Sequence, residues 1–149
     1  MSLHQPDQLY EWLETDDLVH RCEFRRRDDP TWEIEAATSS GALTVRRDGR
    51  DGPVKVVGEA DVESETLIGL EADDSRGDFF THLSAAVTST DGRFTFRDER
   101  GAPCEMSEMR YVEFENRIYP GAVTRQRLLT AIQDVSNAVR YLAVVLENF

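Results

Sequence analysis

Six apolar residues near the C-terminus, Leu128, Ile132, Val135, Val139, Leu142 and Leu146, recur at spacings of 4, 3, 4, 3 and 4. This is a heptad seam over nearly three heptads, and a continuous α-helix is what lays such residues along one side. Thr124 stands at the N-cap position, so the spacing predicts a helix over 125–147. Leu129, Ala138, Ala143 and Val145 form a second apolar set that widens the stripe. A helix this apolar buries more than one face. One face can cover a sheet; the other needs the rest of the domain, or a second copy of it.

The rest of the chain supplies that sheet. Trp32, Ile34 and Ala36 alternate with Glu33 and Glu35, and Leu43 and Val45 alternate with Thr44 and Arg46. Val54, Val56, Gly58 and Ala60 continue the period of two. Turns at Ser39-Ser40-Gly41 and at 48–53 separate the runs, which predicts a three-stranded antiparallel meander with one wet face. Phe94 and Phe96 mark a further strand, and 100–103 a loop. Val112, Phe114 and Ile118 then face inward, with Glu113, Glu115 and Arg117 outward. Leu9, Trp12 and Leu13, after Pro6, predict a short helix over 6–16. Phe79, Phe80, Leu83, Ala86 and Val87 predict another, capped by Asp78 or Ser75 and broken at Asp91-Gly92. Residues 25–30 read as a polar breaker, and 63–72 fit either a strand or the lead-in to a helix. The expected fold is α+β in a single domain over 1–149: an antiparallel sheet with helices packed on one face, in the order α-β-β-β-α-β-β-α, ending in a long helix.

Composition bears on habitat. A chain of 149 residues buries enough surface to fold without a disulfide or metal. It carries 29 Asp+Glu against 17 Lys+Arg, a net charge of -12, and Lys55 is the only lysine. Acid excess with lysine depletion resembles the proteins of salt-in halophilic archaea. Their carboxylates stay hydrated when molar salt screens charge over about 3 Å. At low salt the same charge repels itself, and the fold should weaken. Residues 1–74 hold 19 acids and 8 bases, whereas 75–149 hold 10 acids and 9 bases. The C-terminal half is thus the less repulsive surface for self-contact or partner contact. No apolar run approaches the roughly 20 residues of a membrane helix, and residues 1–8 lack the basic and apolar regions of a signal peptide. With only Cys22 and Cys104 as cysteines, the expected compartment is the cytoplasm.

The layout resembles the type III secretion chaperone-like fold, and within it the YbjN-like and archaeal relatives. The features that carry the resemblance are the Trp12-Leu13 helix, the meander over 32–60 and the helix over 79–87. To these is added the hairpin leading through Ile118-Tyr119-Pro120-Gly121 into the Leu128 to Leu146 seam. The resemblance is one of layout and covers most of the chain. It implies a dimer that binds other proteins without catalysis, and it offers no catalytic residues.

The remaining constellations are weak. His20 and Cys22 form one pair, with Cys104 far away, where a zinc site needs four ligands in recognisable pairs; His4 and His82 are isolated. Glu113 and Glu115 lie about 7 Å apart on one strand face, with Tyr111 and Arg117 beside them. Acid–base chemistry would need a pocket that separates their pKa values, and a hydrated acidic face is the plainer account; Glu33 with Glu35 reads the same way. Cys104 precedes Glu105, which raises a thiol pKa. There is no Gly-x-Ser-x-Gly elbow and no phosphate loop; the segment 48–52 is an acidic turn. Arg25, Arg26, Arg27, Arg46, Arg47 and Arg50 are interleaved or followed by aspartates, and the net charge argues against nucleic acid. No cofactor is implied.

The expectation is therefore a cytoplasmic, dimeric, non-catalytic module that binds a protein partner through an exposed apolar strip or strand edge. The residues expected to carry it are Tyr141, Leu142, Val145 and Leu146 on the long helix and Tyr111, Glu113 and Arg117 on the wet sheet face. The alternative is a small-molecule binder or enzyme with a cavity between sheet and helices.

Overall fold

The computed structural model describes residues 5–27, 31–72, 76–88 and 92–147. The elements run α1 (Gln5–Glu14), β1 (Arg21–Arg26), β2 (Trp32–Thr38), β3 (Gly41–Arg47) and β4 (Val54–Asp61). They continue with α2 (Ser64–Ala72), α3 (Arg76–Thr88), β5 (Arg93–Arg97), a 3-10 turn (Met106–Glu108), β6 (Tyr111–Ile118) and α4 (Arg125–Glu147). All six strands form one antiparallel sheet in the order β1-β2-β3-β4-β6-β5. The chain is α+β, with helices on one face and a long C-terminal helix, as the periodicities imply.

The expected meander is β2, β3 and β4. Ile34 pairs with Val45 and Val45 with Val56, so one apolar row runs straight across three strands. Its members are buried to 0% exposure, because period-two alternation puts all three on the side the helices cover. The last helix spans the predicted 125–147, and its Thr124 cap accepts the Arg127 amide at 3.1 Å. Leu128, Ile132, Val135, Val139 and Leu142 of the seam are buried, and α4 crosses β4 and β6. Within the chain, α1 and α3 also pack against the helix. Ala138 and Val145 are buried, Leu129 is half-buried and Ala143 is exposed.

Two polar anchors fix α4. The Ser136 hydroxyl donates to Ser40 Oγ at 2.8 Å, and Arg140 Nη2 reaches Ser39 and Ser40 Oγ at 3.1 Å, so the β2–β3 turn docks on the helix. Asn116, 1% exposed among the apolar residues of β6, accepts from Arg127 Nη2 at 3.0 Å. A buried amide left unpaired would cost about 1–3 kcal/mol.

Two segments differ from the sequence expectation, and a third resolves an open alternative. Residues 21–26 form an edge strand, not part of a breaker: Cys22 and Phe24 point toward α1, and Tyr10 stacks on Phe24 at 4.8 Å and donates to the Cys22 carbonyl at 3.2 Å. The remainder of the expected breaker, 28–30, lies outside the described residues. Residues 64–72, which fit either a strand or the lead-in to a helix, form the helix α2. Asp78 lies inside α3 rather than capping it; Ser75, Asp91 and the side chains of Ala86 and Val87 lie outside the described residues, as does His4.

Candidate functional site

Two surfaces carry the residues singled out by the sequence. The first is the sheet face opposite the helices. Alternation along β6 puts Tyr111, Glu113, Glu115 and Arg117 there together, as expected. The register then supplies partners that the sequence did not reveal. Arg97 of β5 makes a forked contact with Glu113, Nε to Oε2 at 3.1 Å and Nη2 to Oε1 at 3.2 Å. Arg117 Nε donates to Glu115 Oε2 at 2.6 Å, and at the far edge Arg25 donates to Glu35. Each arginine is held above its ordinary pKa, first by the hydrogen bond to its carboxylate. The face is wet at its margins but not at Glu113, which is only 8% exposed under its arginine. Glu113, Glu115 and Glu35 are each committed to a guanidinium group, so this is an ion-paired sheet face.

Glu59 is the exception. It stands opposite Glu113 on β4, and its pKa is raised by desolvation first, then by Glu113 and Asp61. A carboxyl with a higher pKa folded than unfolded takes up a proton on folding, so stability falls as pH rises through that interval. Glu59→Gln is expected to raise the melting temperature at neutral pH. The gain should vanish below the ordinary carboxylate pKa, where both side chains are neutral. A thermal melt series from pH 7 to pH 3.5 checks this; equal gains at every pH would show that the charge is not responsible.

The second surface is the helical layer. Of the four long-helix residues the sequence singles out, Leu142 is 1% and Val145 7% exposed, Leu146 is half-buried, and Tyr141, at 41%, stands well out. The seam is therefore core, and the outward residues are its neighbours. Ile68 on α2, Phe80 on α3, and Tyr141 and Val144 on α4 are large exposed apolar side chains, and α3 packs against both α2 and α4. Tyr141 Oη lies 3.0 Å from His82 Nδ1, which ties α4 to α3 across this surface. Sequence reasoning missed Ile68, Phe80 and Val144 because periodicity marks what is apolar, not what is left uncovered.

The cysteines do not converge. Cys22 is on β1 and Cys104 donates its amide to Phe96 on β5, at opposite edges of the six-stranded sheet. Burial raises both thiol pKa values, and Asp98, Glu108 and Glu105 add to the effect at Cys104. Among the described residues no group of three or more His, Cys, Asp or Glu side chains could hold a metal. Where α4 crosses β6, the space left between Phe114, Asn116, Val135 and Ala138 is about 10 Å³, room for about one water. No described helix is long and apolar enough to cross a membrane.

No family model matches the chain, and no curated protein matches it. A solved structure does: that of an uncharacterized protein from Methanothermobacter thermautotrophicus, with a TM-score of 0.73 over 97% of this chain and 98% of that one. At 12% identity the similarity speaks to the fold alone.

Proposed function

We propose that this chain is a non-catalytic binding module that recognises a protein partner, or a second copy of itself, through the exposed side of its helical layer. One observation carries the reading: Ile68 on α2, Phe80 on α3, and Tyr141 and Val144 one turn apart on α4 are large apolar side chains left exposed on the helical layer, while the charged sheet face is largely paired within itself. Large apolar side chains left in water mark contact surfaces when they gather on one part of a protein. The near-neutral charge balance of residues 75–149, which hold three of the four, lowers the repulsion a contact must overcome. The chaperone-like layout supports the same reading. The acid surplus and single lysine support an archaeal, salt-accumulating cytoplasm as its setting.

The double variant Tyr141→Glu/Val144→Glu tests it, since both positions are exposed and their exchange should leave the core intact. Light scattering on a size-exclusion column in molar KCl, and pull-down from a high-salt extract against an unrelated acidic bait, are the readouts. Wild type should run as a dimer or retain one protein stoichiometrically, and the folded variant should do neither. A monomeric wild type that retains nothing removes the proposal, as does a variant that associates unchanged.

A further inference from the structure

A second, chemically different site lies at the other end of α4. A pocket of about 520 Å³ is lined by Gly92, Arg93, Arg117, Ile118, Tyr119, Ala122 and Arg127. Its three arginines come from the start of β5, the end of β6 and the first turn of α4. Arg127 spends Nη2 on two neutral acceptors, Asn116 Oδ1 at 3.0 Å and the Arg117 carbonyl at 3.3 Å, and has no carboxylate partner among the described residues. Arg93 is exposed and likewise has no ion-pair partner among them. Arg117 gives Nε to Glu115. Asp134 lines the small void beside Arg93, not the pocket.

In a chain with 29 acids, none of the described residues that line this pocket is a carboxylate. The first turn of α4 holds Arg125 and Arg127 and no acid. The helix macrodipole puts about half a positive charge at that end, so cations there are disfavoured and an anion is favoured. Three arginines, with Glu115 on Arg117 and Asp134 bordering Arg93, leave a positive balance among the described residues at that end. That balance suits a phosphoryl group, which carries about -1.5 to -2 at neutral pH and offers three acceptor oxygens. Planar guanidinium groups suit such an acceptor, and the half-exposed Tyr119 ring walls the pocket.

We infer that this pocket binds a small phosphate-bearing molecule, with Arg93, Arg117 and Arg127 as the phosphoryl contacts. The inference does not rest on the binding role of the helical layer, whose exposed side chains are on other residues.

Isothermal titration calorimetry of the full chain with inorganic pyrophosphate, in molar KCl, tests it. Saturable one-site binding is expected, weakened about tenfold or more in Arg93→Gln and in Arg117→Gln. Arg100→Gln, an exposed loop arginine outside the pocket, should bind as wild type does. Arg93→Gln keeps the test clear of misfolding, because the side chain is exposed and supports no other group. Absence of saturable binding, an Arg93→Gln variant that binds as wild type does, or equal weakening in all three variants would overturn the assignment.

Discussion

Leu142→Glu is expected to unfold the protein, not to split a dimer. Leu142 is 1% exposed within the core formed by α4 and the sheet. Losing a buried leucine costs about 2–5 kcal/mol. A carboxylate in its place adds several kcal/mol of desolvation with no partner to offset it. A domain of this kind holds about 5–15 kcal/mol in total. Circular dichroism and urea titration at high salt should show no cooperative transition. Tyr141→Glu, one residue away, should leave the transition close to wild type, since Tyr141 is 41% exposed. A cooperative Leu142→Glu variant would mean that this side of α4 does not face the sheet.

The second large effect concerns Gly58. A Cβ placed there lies 2.7 Å from Leu43 Cδ2, 2.8 Å from Val135 Cγ1 and 2.9 Å from Val139 Cγ2. The leucine end can rotate away. The valines cannot easily follow, because β-branched side chains on a helix have one strongly preferred rotamer. Any side chain at 58 therefore has to lift α4 from β4. Gly58→Ala is expected to destabilise by about 1–3 kcal/mol and Gly58→Val by more. The competing effect has the opposite sign: alanine replacing glycine in a compatible backbone gains about 0.4–1 kcal/mol through the unfolded chain. Gly58 is not one of the glycines with positive φ, so a net loss in urea midpoint reports the close approach of helix and sheet. Gly77→Ala in α3 is the control, since its Cβ would meet nothing within 4 Å, and it should gain stability. A gain at Gly58 of similar size would mean that the helix is not seated on it.

These two residues mark what could and could not be read in advance. The α4 seam and the alternation around Gly58 are visible in the sequence, because each residue's face follows from a local period of 3.6 or 2. That Leu142 belongs to the core and Tyr141 to the surface depends on which side of the helix meets β4 and β6. The strand over 21–26 was hidden because Cys22 and Phe24 are its two apolar positions among four charged ones. Pairing with β2 on one side, and Tyr10 against Phe24, make it a strand. The segment 64–72 showed no clear stripe in nine residues, so its helical state had to come from its surroundings.

The candidate surfaces divide in the same way. Tyr111, Glu113 and Arg117 share a face by alternation alone, but the arginine on Glu113 comes from β5 through the register of another strand pair. The arginine pocket joins residues from β5, β6 and α4, which no spacing along the chain connects. By itself the sequence determined the class of fold, the span and cap of α4, the meander and its two faces, and the acid surplus. Hydrogen-bonded periodicity and charge are properties of neighbouring residues. Only the tertiary structure decided which apolar side chains remain uncovered, which carboxylates are neutralised, and which arginines line one pocket. Those outcomes depend on contacts between distant segments, whose geometry exists only once the sheet has closed beneath the helix.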